Sequence, residues 1–178
     1  MRGVASPRDE QALLDLLNST PVVDRHPSDL LAADAAAIKW ARSHGGQGTK
    51  AEATRLREVR DRLQAVVGGG QPAATLKTVL GDVYLTADIA EDVVRWTLRT
   101  ASENHLAARM VLAWSRLQEE MPGRLRPCAN DDCRLFLLDR SRANTARWCS
   151  MNVCGNRLKA RRHYERATIP RGRKATRG

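Results

Sequence analysis

Four cysteines occur in this chain of 178 residues, and all of them fall in one window near its C-terminus. They read Cys128-Ala-Asn-Asp-Asp-Cys133 and Cys149-Ser-Met-Asn-Val-Cys154, two C-x4-C pairs. Thiolates bind zinc at about 2.3 Å, and a structural site takes four ligands in a tetrahedron. Each pair can fold into a knuckle that offers two sulfurs, and the connector is long enough to bring the knuckles together. The spacing therefore predicts one Zn²⁺ per chain, held by Cys128, Cys133, Cys149 and Cys154. Two disulfides are the competing use of four cysteines. They need an oxidising compartment, whereas residues 1–10 lack the apolar segment of a signal peptide. The expectation is a reducing, cytoplasmic setting.

The residues around the cysteines suggest how they are positioned. Leu135–Asp139 is short and apolar, which suits a strand. Residues 140–145 are polar and suit a turn, and Ala146-Arg-Trp148 leads back to Cys149. From Asn152 to Arg166 the chain lacks proline and is rich in helix formers, with Ser150 or Asn152 available as a cap. Cys154 then lies in the first helical turn, where free N–H groups and the positive helix end stabilise a thiolate. Knuckle, hairpin and ligand-bearing helix form a treble-clef-like order.

Charge is segregated onto this part of the chain. Residues 124–178 carry fifteen Lys+Arg and four Asp+Glu, 15 − 4 = +11, so the remaining residues contribute −1 to the total of +10. A segment this basic points to a polyanion, and duplex DNA is the expected partner. The candidate contacts are Arg157, Lys159, Arg161, Arg162 and Arg166 on the helix, with Arg140, Arg142 and Arg147 on the hairpin. In the tail, Ile169-Pro-Arg-Gly-Arg-Lys174 resembles an AT-hook, with Lys174 where that motif has a second proline. Arg171, Arg173 and Lys174 extend the candidate surface.

Arg147-Trp-Cys-Ser-Met151 followed by Cys154-Gly-Asn-Arg157 closely resembles the CGNR zinc finger over residues 124–166. In that family the finger follows an N-terminal module called ABATE. Leu14-Asp-Leu-Leu-Asn-Ser19 is similar to the opening L-D-x-x-N-T element of that module, with Ser19 for threonine. Asp29-Leu-Leu-Ala32 and Trp40 are similar to its second element. The resemblance implies a stress-induced transcriptional regulator.

The rest of the chain reads as helical. Ser6-Pro7 starts a helix at about 7–18. A polar loop over 21–29 precedes a helix at about 31–43, with Leu31, Ala35, Ile38 and Trp40 inward. Thr49-Lys-Ala-Glu52 fits a capping box for a helix with Leu56, Val59, Leu63, Val66 and Val67 on one face. Its other face, with Arg55, Arg57, Arg60, Arg62, Glu52, Glu58 and Asp61, reads as a solvated, ion-paired surface. Residues 73–80 suggest a short helix. Val83–Thr86 and Val93–Thr100 flank an acidic stretch and favour a β-hairpin over one long helix. Ser102 caps a helix at about 103–120, with Leu106, Met110, Ala113, Trp114 and Leu117 on one face. Asp15, Asn18 and Arg25 are candidates for a small polar pocket, against a simpler role for Asn18 and Thr20 in capping chain ends.

The expected fold is α+β and mostly helical: an ABATE-like module at 1–122 with a small β-hairpin, a four-cysteine finger at 124–168, and a basic tail at 169–178. The expected function is regulation of transcription by DNA binding, with an N-terminal module that senses a small molecule, binds a protein partner or dimerises. The finger's charge does not distinguish DNA from RNA, so an RNA-binding or ribosome-associated protein is an alternative. A thiol redox sensor that releases zinc on oxidation is another. No catalytic motif is present, and four thiolates leave zinc no open position, so no enzymatic activity is expected. No apolar run approaches the roughly 20 residues of a membrane span.

Overall fold

The computed structural model describes residues 6–23, 25–157, 159 and 160. Helix α1 (Pro7–Leu17) starts as the sequence requires. Ser6 accepts from the Asp9 amide, Asp9 reaches back to the Ser6 amide, and Pro7 occupies the first turn. Two two-residue strands, β1 (Val22–Val23) and β2 (His26–Pro27), pair across the turn that follows. Helix α2 spans Asp34–Ser43 and α3 spans Lys50–Val67. A 3₁₀ segment, Ala73–Val79, leads to a hairpin of β3 (Tyr84–Ala90) and β4 (Val93–Arg99). Helix α4 (His105–Glu120) follows. The cysteine-rich part opens with β5 (Leu125–Pro127), paired to β6 (Phe136–Leu138).

The core lies where α1 packs on α4, α4 on α3 and α3 on α2. Leu13, Leu16, Leu17, Leu56, Val59, Leu63, Leu106, Met110 and Leu117 are buried there. Their i, i+3, i+4 spacing makes a single apolar stripe on each helix. Leu125 and Phe136 belong to the same core, and Leu138 packs against it. The β5–β6 hairpin thus closes one end of the helical body.

Four local expectations are corrected. Helix α2 begins at Asp34 rather than 31. Asp29 Oδ1 accepts from the Leu31 amide at 2.8 Å, and Arg57 Nε donates to the Leu31 carbonyl at 2.9 Å. These bonds hold residues 29–31 in a turn, and Ala35 faces solvent while Ala37 and Ala41 are buried. Second, the charged face of α3 is not wholly solvated. Arg60 is buried and forks onto Asp29 at 2.7 and 3.0 Å. Glu52 is also buried. It accepts from the Gly48 amide at 2.7 Å rather than from Thr49, so only the Thr49 half of the capping box forms. Close passage of the chain over this carboxylate requires glycine: a Cβ on Gly46 would lie 2.6 Å from Glu52 Oε1. Third, β3 runs through the acidic stretch, and the turn is only Glu91–Asp92, both at positive φ. Two left-handed residues make the tight turn that matches strand twist. Fourth, β6 pairs with β5, ahead of the first knuckle, and not with residues 146–148.

Candidate metal centre and basic finger surface

Cys128 follows β5 directly, and its amide donates to the Leu135 carbonyl at 2.8 Å, extending the β5–β6 ladder to the first cysteine. A turn from Asn130 to Cys133 (N···O 2.8 Å) brings Cys133 round to the same point. The Ala129 amide donates to the Arg147 carbonyl at 2.8 Å and holds the returning segment against this knuckle. Ser150 caps the next turn, its hydroxyl accepting from Val153 and its carbonyl from Cys154 at 3.0 Å. That turn, Met151–Gly155, is wide, with the Gly155 amide also reaching Ser150 O at 3.1 Å. Cys154 therefore sits in the first turn of the finger helix, as the sequence suggests.

All four sulfurs lie within 4.8 Å of one another. Cys149 Sγ is 3.7 Å from both Cys133 Sγ and Cys154 Sγ. A tetrahedron with bonds of about 2.3 Å has edges of about 3.8 Å, so the cluster fits one zinc ion. Three N–H groups point at sulfur: the Cys149 amide at Cys128 (3.4 Å), the buried Asn130 amide at Cys154 (3.5 Å) and the Leu135 amide at Cys133. Such donors favour thiolates and orient them for a metal. Burial pushes the Cys133 thiol up to about 11 and the Cys149 thiol higher still, the crowded sulfurs adding to the effect. Against the upward push of burial, hydrogen bonds led by that from Asn130 bring Cys154 below its ordinary value. Four anionic sulfurs in this volume require a cation, and a divalent metal deprotonates its thiol ligands outright. The cofactor of this centre is one Zn²⁺, and its chemistry here is structural.

The loop between the knuckles is held by Asp139. Its side chain is almost fully buried and accepts from the Ser141 amide (2.8 Å), the Ala146 amide (2.8 Å) and Arg126 (2.7 Å). Hydrogen bonds from Ser141, Ala146 and Arg126 keep its carboxyl far below the usual carboxylate range. Arg126 also donates to the Gly123 carbonyl (2.6 Å) and to Asn144 Oδ1 (2.7 Å). Asn130, Asp139 and Arg126 were not among the sequence candidates. Their signal was slight: an asparagine two residues after a ligand, and an acidic residue ending an apolar strand.

Asn18 ties this unit to the helices. Its Oδ1 accepts from the Phe136 amide at 2.7 Å, and its Nδ2 donates to the Phe136 carbonyl at 3.2 Å. The side-chain amide imitates a neighbouring strand on the edge of β6. Asp15 instead accepts from Gln11 (2.8 Å) and lies 3.5 Å from His44 Nε2. Arg25 is exposed at positive φ in the β1–β2 turn. The three residues thus serve separate contacts rather than one pocket, and Thr20 accepts from Gln64 at 2.7 Å.

The basic candidates divide in the same way. Arg140 pairs with the buried Glu10 of α1 at 3.1 Å and is a second link between helices and finger. Arg147 lies over the Trp148 ring, 5.2 Å from its centroid. Arg142, Arg147, Arg157 and Lys159 are exposed, and none makes an ion pair among the described residues. Arg161, Arg162, Arg166, Arg171, Arg173 and Lys174 lie outside those residues, as do residue 158, the 161–166 part of the expected finger helix and the whole tail. Among the described residues, no helix is long and apolar enough to cross a membrane.

Comparison with known families agrees with this architecture. The CGNR zinc finger profile matches residues 124–167. A second profile, ABATE, described as "Putative stress-induced transcription regulator", matches residues 10–136. No curated protein matches the chain. The second match spans the greater part of the chain, from α1 into β6, and the protein therefore belongs to the ABATE family of transcription regulators, with a C-terminal CGNR zinc finger.

Proposed function

We propose that the protein regulates transcription by binding duplex DNA through its zinc finger and the basic segment beyond it. The observation that carries this reading is the group of exposed cations on the finger, where among the described residues only Arg126 and Arg140 are paired with a carboxylate. On the helices, Arg55, Arg57, Arg60, Arg109 and Arg116 are each paired with a carboxylate. On the finger, Arg142, Arg147, Arg157 and Lys159 face solvent without acidic partners among the described residues. Such side chains neutralise phosphates, and a guanidinium can also read guanine. Zinc holds the unit that presents them. A reduced thiolate site persists in a cytoplasmic setting. An open polar cleft of about 460 Å³, lined by Thr20, Asp29, Arg60, Asp61, Gln64 and Arg134, is a place for a small-molecule signal beside the Cys133 ligand.

The test is a salt titration of DNA affinity with Arg157→Ala, Lys159→Ala and, as a control on α2, Lys39→Ala. Each lost phosphate contact should lower the slope of log K against log salt by about 0.9. Both finger variants should show that loss, and Lys39→Ala should not. Equal weakening by Lys39→Ala would mean diffuse attraction without a binding surface. Duplex RNA of equal length run alongside separates the RNA reading: tighter binding to RNA would replace DNA as the partner.

A further inference from the structure

The β3–β4 hairpin exposes an apolar face. Its register pairs Leu85 with Leu98, Ala87 with Trp96, and Ile89 with Val94. Side chains alternate along a strand, so these six residues share one face, with no charged or polar member. The other face carries Thr86, Asp88, Arg95, Thr97 and Arg99, with Tyr84 and Val93. A sheet with one apolar face normally lays that face on a core. Here Ile89 is 75% exposed, Val94 56% and Trp96 42%. An isolated two-stranded hairpin is marginal in water, so this one lacks the surface that would complete it.

We infer that the apolar face of this hairpin packs on the same face of a second copy of the chain, antiparallel, to form a dimer. Two observations select a second copy. First, the charges are arranged for self-association. The tip carries Asp88, Glu91 and Asp92 against one cation, Arg95, which pairs with Glu91 at 3.6 Å, whereas at the base Arg99 and Lys77 outnumber Asp82. With two hairpins antiparallel, each acidic tip meets the partner's basic base. Second, an apolar groove of about 470 Å³ lies just before β3, lined by Leu76, Leu80, Val111 and Trp114, with Lys77 at its rim. It offers the partner's tip an apolar seat next to a cation. Stacked sheets lie about 10 Å apart, far less than the width of the helical body. Tip-over-tip stacking would force the two bodies into one space, and only the antiparallel arrangement separates them. The acidic tip also disfavours a nucleic acid or an anionic lipid surface as the occupant.

Seven-residue strands make a face of about 24 by 10 Å. That is below the roughly 800 Å² per partner of a standard interface, which places the dimer in the weak, concentration-dependent class. The inference does not rest on DNA binding, because the dimer is measured without DNA.

The experiment is sedimentation of the zinc-loaded full chain over a concentration series reaching on the order of 100 µM, where weak dimers populate. The wild type should move from monomer to dimer. Ile89→Glu combined with Val94→Glu should keep it monomeric, with unchanged zinc content and helical signal. Thr97→Glu, on the opposite face of the same strand, should leave the dimer intact. Glu91→Lys with Asp92→Lys should weaken dimerisation at least fivefold, and adding Lys77→Glu should restore part of the loss. A wild type monomeric throughout overturns the inference. So does a dimer that survives the two glutamates, or one that Thr97→Glu disrupts equally.

Discussion

Gly155 shows how one small residue can carry a motif. It follows the Cys154 ligand in the wide turn, and a Cβ placed there would lie 3.0 Å from Met151 Sδ and 3.2 Å from Trp148 Cδ1. Met151 is half exposed and unbranched, so it can yield. The Trp148 ring lies under the Arg147 guanidinium. Gly155→Ala gains helix propensity of about 1 kcal/mol, which offsets a slight crowding. Gly155→Val should cost about 1–3 kcal/mol through overpacking and weaken zinc binding in proportion, because binding energy in such a site is folding energy. Competition with a zinc chelator measures both. If valine binds zinc as tightly as alanine, packing around Gly155 is not the constraint. The ligands themselves were legible because four thiols in two equal spacings admit few geometries. Asn130 and Asp139 were not, because their roles depend on which amides the folded chain brings to them. Asn18 stood out in the sequence, but its partner Phe136 lies too far along the chain for local pattern to reveal.

Helix starts were legible at Ser6 and Thr49, but not at Ser102, which caps nothing: a 3₁₀ turn over Ser102–Asn104 precedes α4, and that helix starts at His105. The α2 start was obscured by Asp29, which is held by Arg60 from another helix. Strand β6 was found, but its partner was not, since a three-residue ladder is set by tertiary packing of Leu125 and Phe136 rather than by its own residues. The start of α4 carries a titratable group of interest. His105 is half-buried, and burial together with the Arg109 charge lowers its pKa below the ordinary 6.5, although Glu52 and Asp9 pull it upward. The unfolded chain therefore binds this proton more readily than the folded one. Stability contributed by neutral His105 is complete above about pH 6.5 and declines as pH falls toward its folded value. Asp9 and Asp29, both lowered, act in a separate window below their ordinary value of 3.8. In Asp9 and Asp29, stability is present above that value and lost as the pH falls further. Urea midpoints between about pH 5 and 7.5, compared for the wild type and His105→Gln, isolate the histidine contribution from zinc release. The variant should show the flatter profile, and identical slopes would remove His105 from the account.

At the scale of the molecule, the sequence suggested a boundary at the Pro122-Gly123 hinge, where composition and charge change. The fold carries its core past that point. Leu125 and Phe136 are buried with the helices, Asn18 grips β6, and Arg140 pairs with Glu10. The two family matches overlap over residues 124–136 as well. We therefore expect the zinc-independent body to end near Asp139 rather than at Met121. Burying a leucine and a phenylalanine contributes about 1.5–3 kcal/mol each, and the two Asn18 hydrogen bonds contribute about 0.5–1.5 kcal/mol each. Their sum is about 4–9 kcal/mol, comparable with the 5–15 kcal/mol that holds a typical domain together. A fragment ending at Asp139 should melt cooperatively in the presence of a chelator. One ending at Met121 should melt well below it, or not cooperatively, because the end of the core is then open to water. Asn18→Ala should lower the melting temperature of the longer fragment and leave the shorter one unchanged, since only the longer one contains Phe136. Equal melting of the two fragments would return β5 and β6 to the finger and place the boundary at the hinge.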